Sequence, residues 1–168
     1  MRTLFCLTLF VLLIGTTGGQ SADFQKGLEA VQKGDFTAAL REWVPLAEQG
    51  NVEAQYQLGL MHHRGQGVQR DHKTAAQWYE LAAKQGDPRA QSHLGKYYEI
   101  GQGVPQNYKM AVKWYALSAS QGYFQAQTNL GLMYGLGTGV EQSFIYAYMW
   151  GALASENGNV SGTKLRHL

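Results

Sequence analysis

Apolar and small residues recur along this chain at helical spacing, in short stretches separated by glycine-containing turns. In one stretch, Ala90, Leu94, Tyr97 and Tyr98 stand three or four positions apart, so they share one face of a helix. The next stretch ends at a Gln-Gly turn before Tyr123. Helical periods punctuated by glycine predict an all-α protein built from short helices.

This pattern repeats every 36 residues, in units 51–86, 87–122 and 123–158 that follow without a gap. Eleven positions carry the same residue in all three units; in the first they are Ala54, Gln55, Leu58, Gly59, Gly65, Gly67, Val68, Ala75, Trp78, Leu81 and Gly86. Self-similarity at this period is typical of solenoids, which present extended surfaces to partners. The repeat therefore favours a scaffold over an enzyme.

Turn and cap residues divide each unit into two helices. In the second unit, Asp87 is predicted to cap the first helix, with Pro88 in its first turn. Gly101 and Gly103 fit a left-handed helix end followed by a chain reversal. The cap of the second helix falls at one repeat position, occupied by Asp71, Asn107 and Ser143. Each unit is thus predicted to form a helix–turn–helix hairpin.

Small residues inside the helices indicate close packing. Glycine in a helix costs about 1 kcal/mol relative to alanine, so its recurrence predicts that a backbone or an indole ring approaches closely. These mid-helix glycines are Gly59, Gly95 and Gly131. The predicted facing residues are Ala75, Ala111 and Ala147, and the tryptophans predicted to fill the core beside them are Trp78, Trp114 and Trp150.

The repeated pattern resembles the Sel1-like repeat family, which is related to tetratricopeptide repeats. The second unit carries the resemblance through Ala90-Gln91, Leu94-Gly95, Tyr98, Gly101, Gly103-Val104, Ala111, Trp114-Tyr115 and Gly122. Two positions depart from the pattern: His62 replaces a tyrosine, and Gly151 replaces the tyrosine of the Trp-Tyr pair. The resemblance implies a right-handed α-solenoid.

Residues 23–50 are predicted to form a shorter hairpin without the two-glycine loop. Phe24, Leu28 and Val31 form one apolar stripe, and the turn lies at Gly34-Asp35. We expect this hairpin to cap the solenoid, because terminal repeats are usually atypical. With the three units it brings the expected number of helices to eight.

Residues 1–22 are predicted to be a secretory signal peptide. Arg2 precedes an apolar run from Leu4 to Ile14, which is shorter than the roughly 20 residues of a membrane span. We expect cleavage after Ala22, with Gly19 as the alternative. Because Cys6 is the one cysteine, the remaining 146 residues (168 − 22) would lack cysteine. Export without disulfides fits a periplasmic or secreted bacterial protein.

Charge and motifs favour neither nucleic acid nor catalysis. The net charge is +2 and no basic stripe is present. His62 and His63 point about 100° apart on a helix, and His63 and His93 are expected at exposed positions. No metal ligand set, serine nucleophile motif or phosphate loop is recognised, so we expect no metal, no cofactor and no catalytic residue.

Positions that vary between the units are the candidates for partner binding. Helical spacing selects a set of exposed positions on the first helix of each unit. The resemblance implies that these first helices line the concave face of the solenoid. The candidates that we retain there are Tyr56, Gln57, Leu60, His63, Arg89, His93, Lys96, Glu99, Asn129 and Leu132. An ordinary solvated helix surface is the alternative interpretation.

The end of the third unit is a second candidate surface. Its last helix is predicted to be nearly continuously apolar, and only residues 159–168 follow it. Tyr146, Tyr148 and Met149 are therefore expected to support self-association or partner docking. The alternative is that the short tail, through Val160, Leu165 and Leu168, folds back over this surface.

These observations predict a non-catalytic protein-interaction or adaptor module of the bacterial cell envelope. The resemblance implies roles in assembling protein complexes and leaves the peptide or protein partner undefined. It also implies one alternative of another class, a secreted hydrolase acting on β-lactam or cell-wall substrates. That activity is attributed to cysteine-rich relatives, whose disulfides this chain would lack after cleavage.

Overall fold

The computed structural model describes residues 16–158, which form eight α-helices and no strand. The helices are α1 (Thr16–Gln32), α2 (Phe36–Glu48), α3 (Val52–Arg64), α4 (His72–Lys84), α5 (Pro88–Ile100), α6 (Tyr108–Ser120), α7 (Phe124–Leu136) and α8 (Phe144–Glu156). Each helix packs mainly on the helices before and after it in the chain. This arrangement confirms the predicted all-α solenoid.

The second helix of every unit begins where its predicted cap stands. Asp71 accepts a hydrogen bond from the Lys73 amide at 2.9 Å, and the caps of α6 and α8 act in the same way. The first helices differ more, because Asn51 and Asp87 cap α3 and α5 whereas Tyr123 makes no side-chain bond at the start of α7. The local capping signals therefore set the helix boundaries.

Helix α1 begins earlier than the predicted hairpin. It starts at Thr16, and the predicted cleavage point after Ala22 lies inside it. Residues 1–15 and 159–168, which include most of the predicted signal peptide and the whole C-terminal tail, lie outside the described residues. Among residues 16–158, no helix is long and apolar enough to cross a membrane.

The two glycines of each loop have different tasks. Gly101 ends α5 in the left-handed conformation, with φ of 71°, and its amide bonds to the Tyr97 carbonyl. Gly103 lies against the backbone at the start of α4, where a Cβ atom would approach the Lys73 nitrogen to 2.9 Å. The second glycine therefore allows each loop to contact the preceding hairpin. Its counterparts in the other units are Gly67 and Gly139.

Gly59 and Gly95 each face a tyrosine ring, which is neither the backbone nor the indole ring that the sequence predicted. A Cβ atom at Gly59 would lie 2.6 Å from the Tyr79 ring, and one at Gly95 would lie 2.7 Å from the Tyr115 ring. Both tyrosines are fully buried. In the terminal hairpin, Gly27 meets the Trp43 indole at the corresponding place. In the repeat units, the ring that faces the glycine belongs to the residue after the tryptophan. Successive residues point about 100° apart around a helix, so the tryptophan of the unit is turned away from the glycine.

The tryptophans of the repeats still belong to the core, as predicted. Trp114 is buried in the cluster between the first and second units, while Trp78 and Trp150 are half-buried against the neighbouring clusters. The core therefore consists of three apolar clusters, one at each junction between hairpins. Such junctions are the source of stability in a solenoid, because a single hairpin cannot bury its apolar face.

One shared glutamine per unit links the hairpins through hydrogen bonds. The buried Gln91 amide donates to the Ala83 carbonyl of the preceding hairpin at 3.1 Å, and Gln91 Oε1 accepts from Gln121 Nε2 at 2.8 Å. Gln55 and Gln127 repeat both bonds with their own neighbours. The sequence shows this residue as invariant between units, but its bridging role is visible only in the structure.

Candidate functional site

The predicted partner-binding residues lie on two separate surfaces. Ten are on the first helices α3, α5 and α7, and three are on α8. On the first helices, Lys96 and Leu132 are exposed, while the others except Tyr56 are half-buried. Tyr56 is only 9% exposed and packs in the core, so its assignment to an exposed surface is wrong.

Tyr56 is covered by Arg89, whose guanidinium carbon lies 4.2 Å from the centre of the tyrosine ring. Arg89 also donates to both carboxylate oxygens of Glu53, at 3.0 and 2.6 Å, and to Asp87 Oδ2 at 2.6 Å. These two carboxylates raise the pKa of Arg89. Arg89 therefore joins the first and second units, and its hydrogen-bonding capacity is largely used within the protein.

Glu99 is also engaged internally. Tyr115 Oη donates to Glu99 Oε2 at 2.6 Å, and Lys96 Nζ lies 3.2 Å from Glu99 Oε1. Burial raises the pKa of Tyr115, with the Glu99 hydrogen bond acting in the same direction. The carboxylate thus fixes the tyrosine that covers Gly95. It remains half-buried at the surface beside Lys96.

Three histidines from three different helices, His63, His72 and His93, meet at the junction of the first two units. The His63 ring centre lies 5.5 Å from that of His72 and 6.1 Å from that of His93. His93 stacks on Tyr79, with ring centres 4.8 Å apart and an angle of 8° between the planes. His63 and His93 are half-buried, so the expectation that both are exposed is wrong. They meet because the hairpins stack in register and bring α3, α4 and α5 together.

A chain of hydrogen bonds runs through this cluster. Gln102 Nε2 lies 2.7 Å from His72 Nε2, His72 Nδ1 lies 3.4 Å from Tyr97 Oη, and Tyr97 Oη lies 2.8 Å from His63 Nδ1. The Gln102 amide nitrogen is a donor only, so His72 Nε2 accepts and His72 Nδ1 carries the proton. Every proton in this chain then finds an acceptor if Tyr97 donates its hydroxyl proton to His63 Nδ1. The remaining proton of neutral His63 is therefore on Nε2.

The environment lowers the pKa of His63 and of His93. Burial lowers the pKa of His93 to about 4, with His63 and Arg64 acting in the same direction. Burial also lowers the pKa of His63, followed by the charges of His72, Arg64 and Arg70. Within residues 16–158, no group of three or more His, Cys, Asp or Glu side chains is arranged to hold a metal ion.

Helix α8 forms the second surface. Tyr146, Tyr148 and Met149 are 49%, 53% and 45% exposed, and Ile145 is 75% exposed. Ile145 and Met149 occupy repeat positions that carry Lys109 and Lys113 in α6. Tyr148 instead occupies the position of Ala76, which the following hairpin buries in the first unit. The apolar surface of α8 therefore extends beyond the area that a further repeat would cover.

A shallow pocket of about 500 Å³ lies at the start of α8. It is lined by Tyr134, Val140, Glu141, Gln142, Ser143 and Tyr146. In the earlier units, the start of the second helix contacts the loop of the next unit, as Gly139 does against Tyr108. The pocket therefore lies where the stack would continue.

Repeated hairpins with junction cores, matching loops and a recurring glutamine bridge place this chain among the α-solenoid repeat proteins. The family profile described as Sel1 repeat matches residues 52–87, 88–123 and 124–159. The chain therefore belongs to the Sel1 repeat family. The matched segments are offset by one residue from the units read from the sequence, 51–86, 87–122 and 123–158.

Solved structures agree with this assignment. The chain is similar to c5321, described as a protective antigen of uropathogenic Escherichia coli with an SLR fold, at 36% identity and a TM-score of 0.83. The match covers 87% of this chain and 32% of that protein. A Sel1 repeat protein from Oxalobacter formigenes is 32% identical, with a TM-score of 0.78, and the match covers 82% of this chain and 57% of that protein.

A third structure shares the fold alone. The cysteine-rich protein B of Helicobacter pylori is 15% identical, with a TM-score of 0.55, and the match covers 90% of this chain and 98% of that protein. No curated protein matches this chain. The chain thus spans about a third of the Escherichia coli protein and somewhat over half of the Oxalobacter formigenes protein.

Proposed function

We propose that this protein is a non-catalytic binding module of the bacterial cell envelope that holds a protein or peptide partner on its solenoid surface. The observation that carries the proposal is the contrast between a uniform interior and varied surfaces. Residues shared by all units build the interior: Gln91 bridges neighbouring hairpins, and Gly95 packs on Tyr115 within its own hairpin. Exposed residues differ from unit to unit, as Lys109 and Ile145 do at one repeat position.

Solenoid geometry supports this role, because stacked hairpins present an extended surface without needing a catalytic cleft. The described surface offers two chemically distinct regions, the half-buried histidine cluster around His63 and the apolar surface of α8. Protein-binding surfaces are typically rich in aromatic residues and methionine, which Tyr148 and Met149 supply on α8.

Crosslinking in living cells, followed by purification of the protein from the periplasm, tests the binding role. We expect defined partners in stoichiometric amounts. A variant combining Tyr148→Lys and Met149→Lys removes the apolar surface of α8, while Lys109→Gln and Lys113→Gln provide a control on α6. Absence of any partner that survives stringent washing would contradict the proposal.

The envelope location requires its own test. Cell fractionation and N-terminal sequencing of the purified protein should recover a chain starting at Asp23. A chain that keeps Met1 and remains in the cytoplasm would refute this part of the proposal.

The non-catalytic assignment is open to a direct test. Purified protein should not hydrolyse a chromogenic β-lactam or cell-wall fragments above the buffer rate. Reproducible turnover that disappears in His63→Gln or His93→Asn would instead favour a hydrolase.

A further inference from the structure

The surface at the C-terminal end of α3 differs chemically from the same surface in the other two units. It carries His63, Arg64, Arg70 and His72, which we name the basic rim. The second unit has Glu99, Ile100, Gln106 and Tyr108 at these positions, and the third has Gly135, Leu136, Gln142 and Phe144. The shared architecture therefore does not explain why four basic or titratable residues are grouped in the first unit.

The two arginines of the basic rim have no acidic partner among the described residues. The ion pairs of that part of the chain use other cations, and Arg89 occupies both Glu53 and Asp87. Asp71 is adjacent to Arg70 in sequence, but its carboxylate caps α4 through the Lys73 and Thr74 amides and the Thr74 hydroxyl. Arg64 and Arg70 are both exposed.

The histidines add a directed donor. When His63 Nδ1 accepts from Tyr97, the proton of neutral His63 lies on Nε2, and this N–H has no acceptor among the described residues. The ring is held from three sides by Tyr97, His72 and His93, so this N–H group is positioned by its neighbours. Two unpaired guanidiniums beside a positioned imidazole N–H form a set of donors that matches carboxylate oxygens.

We propose that the basic rim binds a carboxylate-rich peptide segment of a protein partner, with Arg64 and Arg70 pairing its acidic side chains and His63 donating a hydrogen bond. This inference rests on the proposed binding function and assigns it a site and a ligand class.

A peptide fits this surface better than a nucleic acid. Nucleic acid binding relies on many phosphate contacts from clustered Lys and Arg residues, whereas the rim supplies two guanidiniums. The whole chain has a net charge of only +2.

Binding should depend on pH. The groups facing His63 are Arg64 on α3, His72 on α4, His93 and Tyr97 on α5, and Arg70 in the loop, so no carboxylate favours its protonated form. A bound carboxylate raises the pKa of His63, and by linkage the protein binds the peptide more tightly as the pH falls toward 6. Glutamate side chains remain ionised in that range.

Fluorescence anisotropy with a labelled octaglutamate peptide tests this proposal, with octaglutamine and octalysine peptides as probes of charge. Arg64→Ile and Arg70→Gln introduce the residues of the second unit and leave the cores unchanged. Lys109→Gln and Lys113→Gln remove the same charge elsewhere. Circular dichroism establishes that each variant is folded.

We expect octaglutamate to bind at least tenfold more tightly than octaglutamine at pH 6, and at least threefold more tightly at pH 6 than at pH 7.5. The double arginine variant should lose at least tenfold in affinity, and the double lysine control less than twofold. His63→Gln should abolish the pH dependence while retaining part of the binding.

Equal binding of octaglutamate and octaglutamine, or equal losses in the two double variants, would overturn the inference. Tighter binding of a single-stranded oligonucleotide with eight phosphates would overturn it as well. If crosslinking still recovers partners with the double arginine variant, the binding function stands and only this site is wrong.

Discussion

The mid-helix glycines leave room for one aromatic ring in each of the first three hairpins. At Gly95 a valine would place its Cβ 2.7 Å from the Tyr115 ring, which is fully buried and hydrogen-bonded to Glu99. We expect Gly95→Val to lower the free energy of unfolding by about 2 kcal/mol or more through overpacking. Lys96→Val, exposed on the same helix, measures the effect of a β-branched residue alone. A loss below about 0.5 kcal/mol in urea unfolding would show that the ring moves aside easily.

His93 links stability to pH at the same scale. Its pKa in the folded state is about 4, below the ordinary value of 6.5. The unfolded chain therefore binds more protons between these values, and stability falls as the pH is lowered from about 6.5 toward 4. If the whole pKa difference is expressed, the free energy of unfolding falls by roughly 3 kcal/mol as His93 becomes protonated.

We expect His93→Asn, which introduces the residue found at this position as Asn129, to flatten this dependence. Urea unfolding at pH 7.5 and pH 4.5 measures the change. His62→Tyr, which restores the motif residue, serves as a control at a second half-buried histidine. An unchanged pH slope in His93→Asn would assign the acid sensitivity to other groups.

At the scale of elements, the glutamine bridge joins three helices at each junction. Gln91→Leu preserves much of the side-chain volume but leaves the Ala83 carbonyl and the Gln121 amide without their partner. Both groups keep another partner, because the Ala83 carbonyl also accepts from the Gly86 amide and Gln121 retains other acceptors, so the cost is that of two lost hydrogen bonds at about 0.5–1.5 kcal/mol each. We therefore expect Gln91→Leu to destabilise the protein by about 1–3 kcal/mol.

Urea midpoints measure this loss, with Gln77→Leu on the exposed side of α4 as the matched control. Each junction has its own glutamine, so Gln91→Leu weakens one junction and leaves the others intact. If the hairpins unfold in separate groups, the urea unfolding transition of this variant should also become broader. Equal midpoints for the two variants would show that the bridge contributes no net stability.

At the scale of the molecule, the last described helix, α8, exposes apolar side chains. Ile145 and Met149 stand where α6 has Lys109 and Lys113, and both are well exposed. We expect the protein to self-associate at high micromolar concentration and Ile145→Lys with Met149→Lys to make it monomeric, as measured by sedimentation velocity. Lys109→Gln with Lys113→Gln should leave the association unchanged. A strict monomer that binds no hydrophobic dye would instead favour coverage by the predicted tail segment.

Local signals in the sequence account for the repeating unit. Asp71, Asn107 and Ser143 fix the helix starts, because a cap needs only the next three residues of its own helix. The loop glycines fix the helix ends for a similar reason, since a positive φ is a local property. The period, the helix pattern and the hairpins were therefore predictable from the sequence alone.

The contacts between helices were decided by the tertiary structure. Sequence spacing identified a close contact at Gly95 but predicted a backbone or an indole ring as its neighbour, whereas the structure places the Tyr115 ring there. The same geometry buried Tyr56 beneath Arg89 and brought His63, His72 and His93 together from three helices. Periodicity gives the direction of a side chain about its own helix axis, but contacts also depend on how neighbouring axes are rotated and offset. That relation is set by packing across the junctions, so the composition of each surface could be known only once the hairpins were stacked.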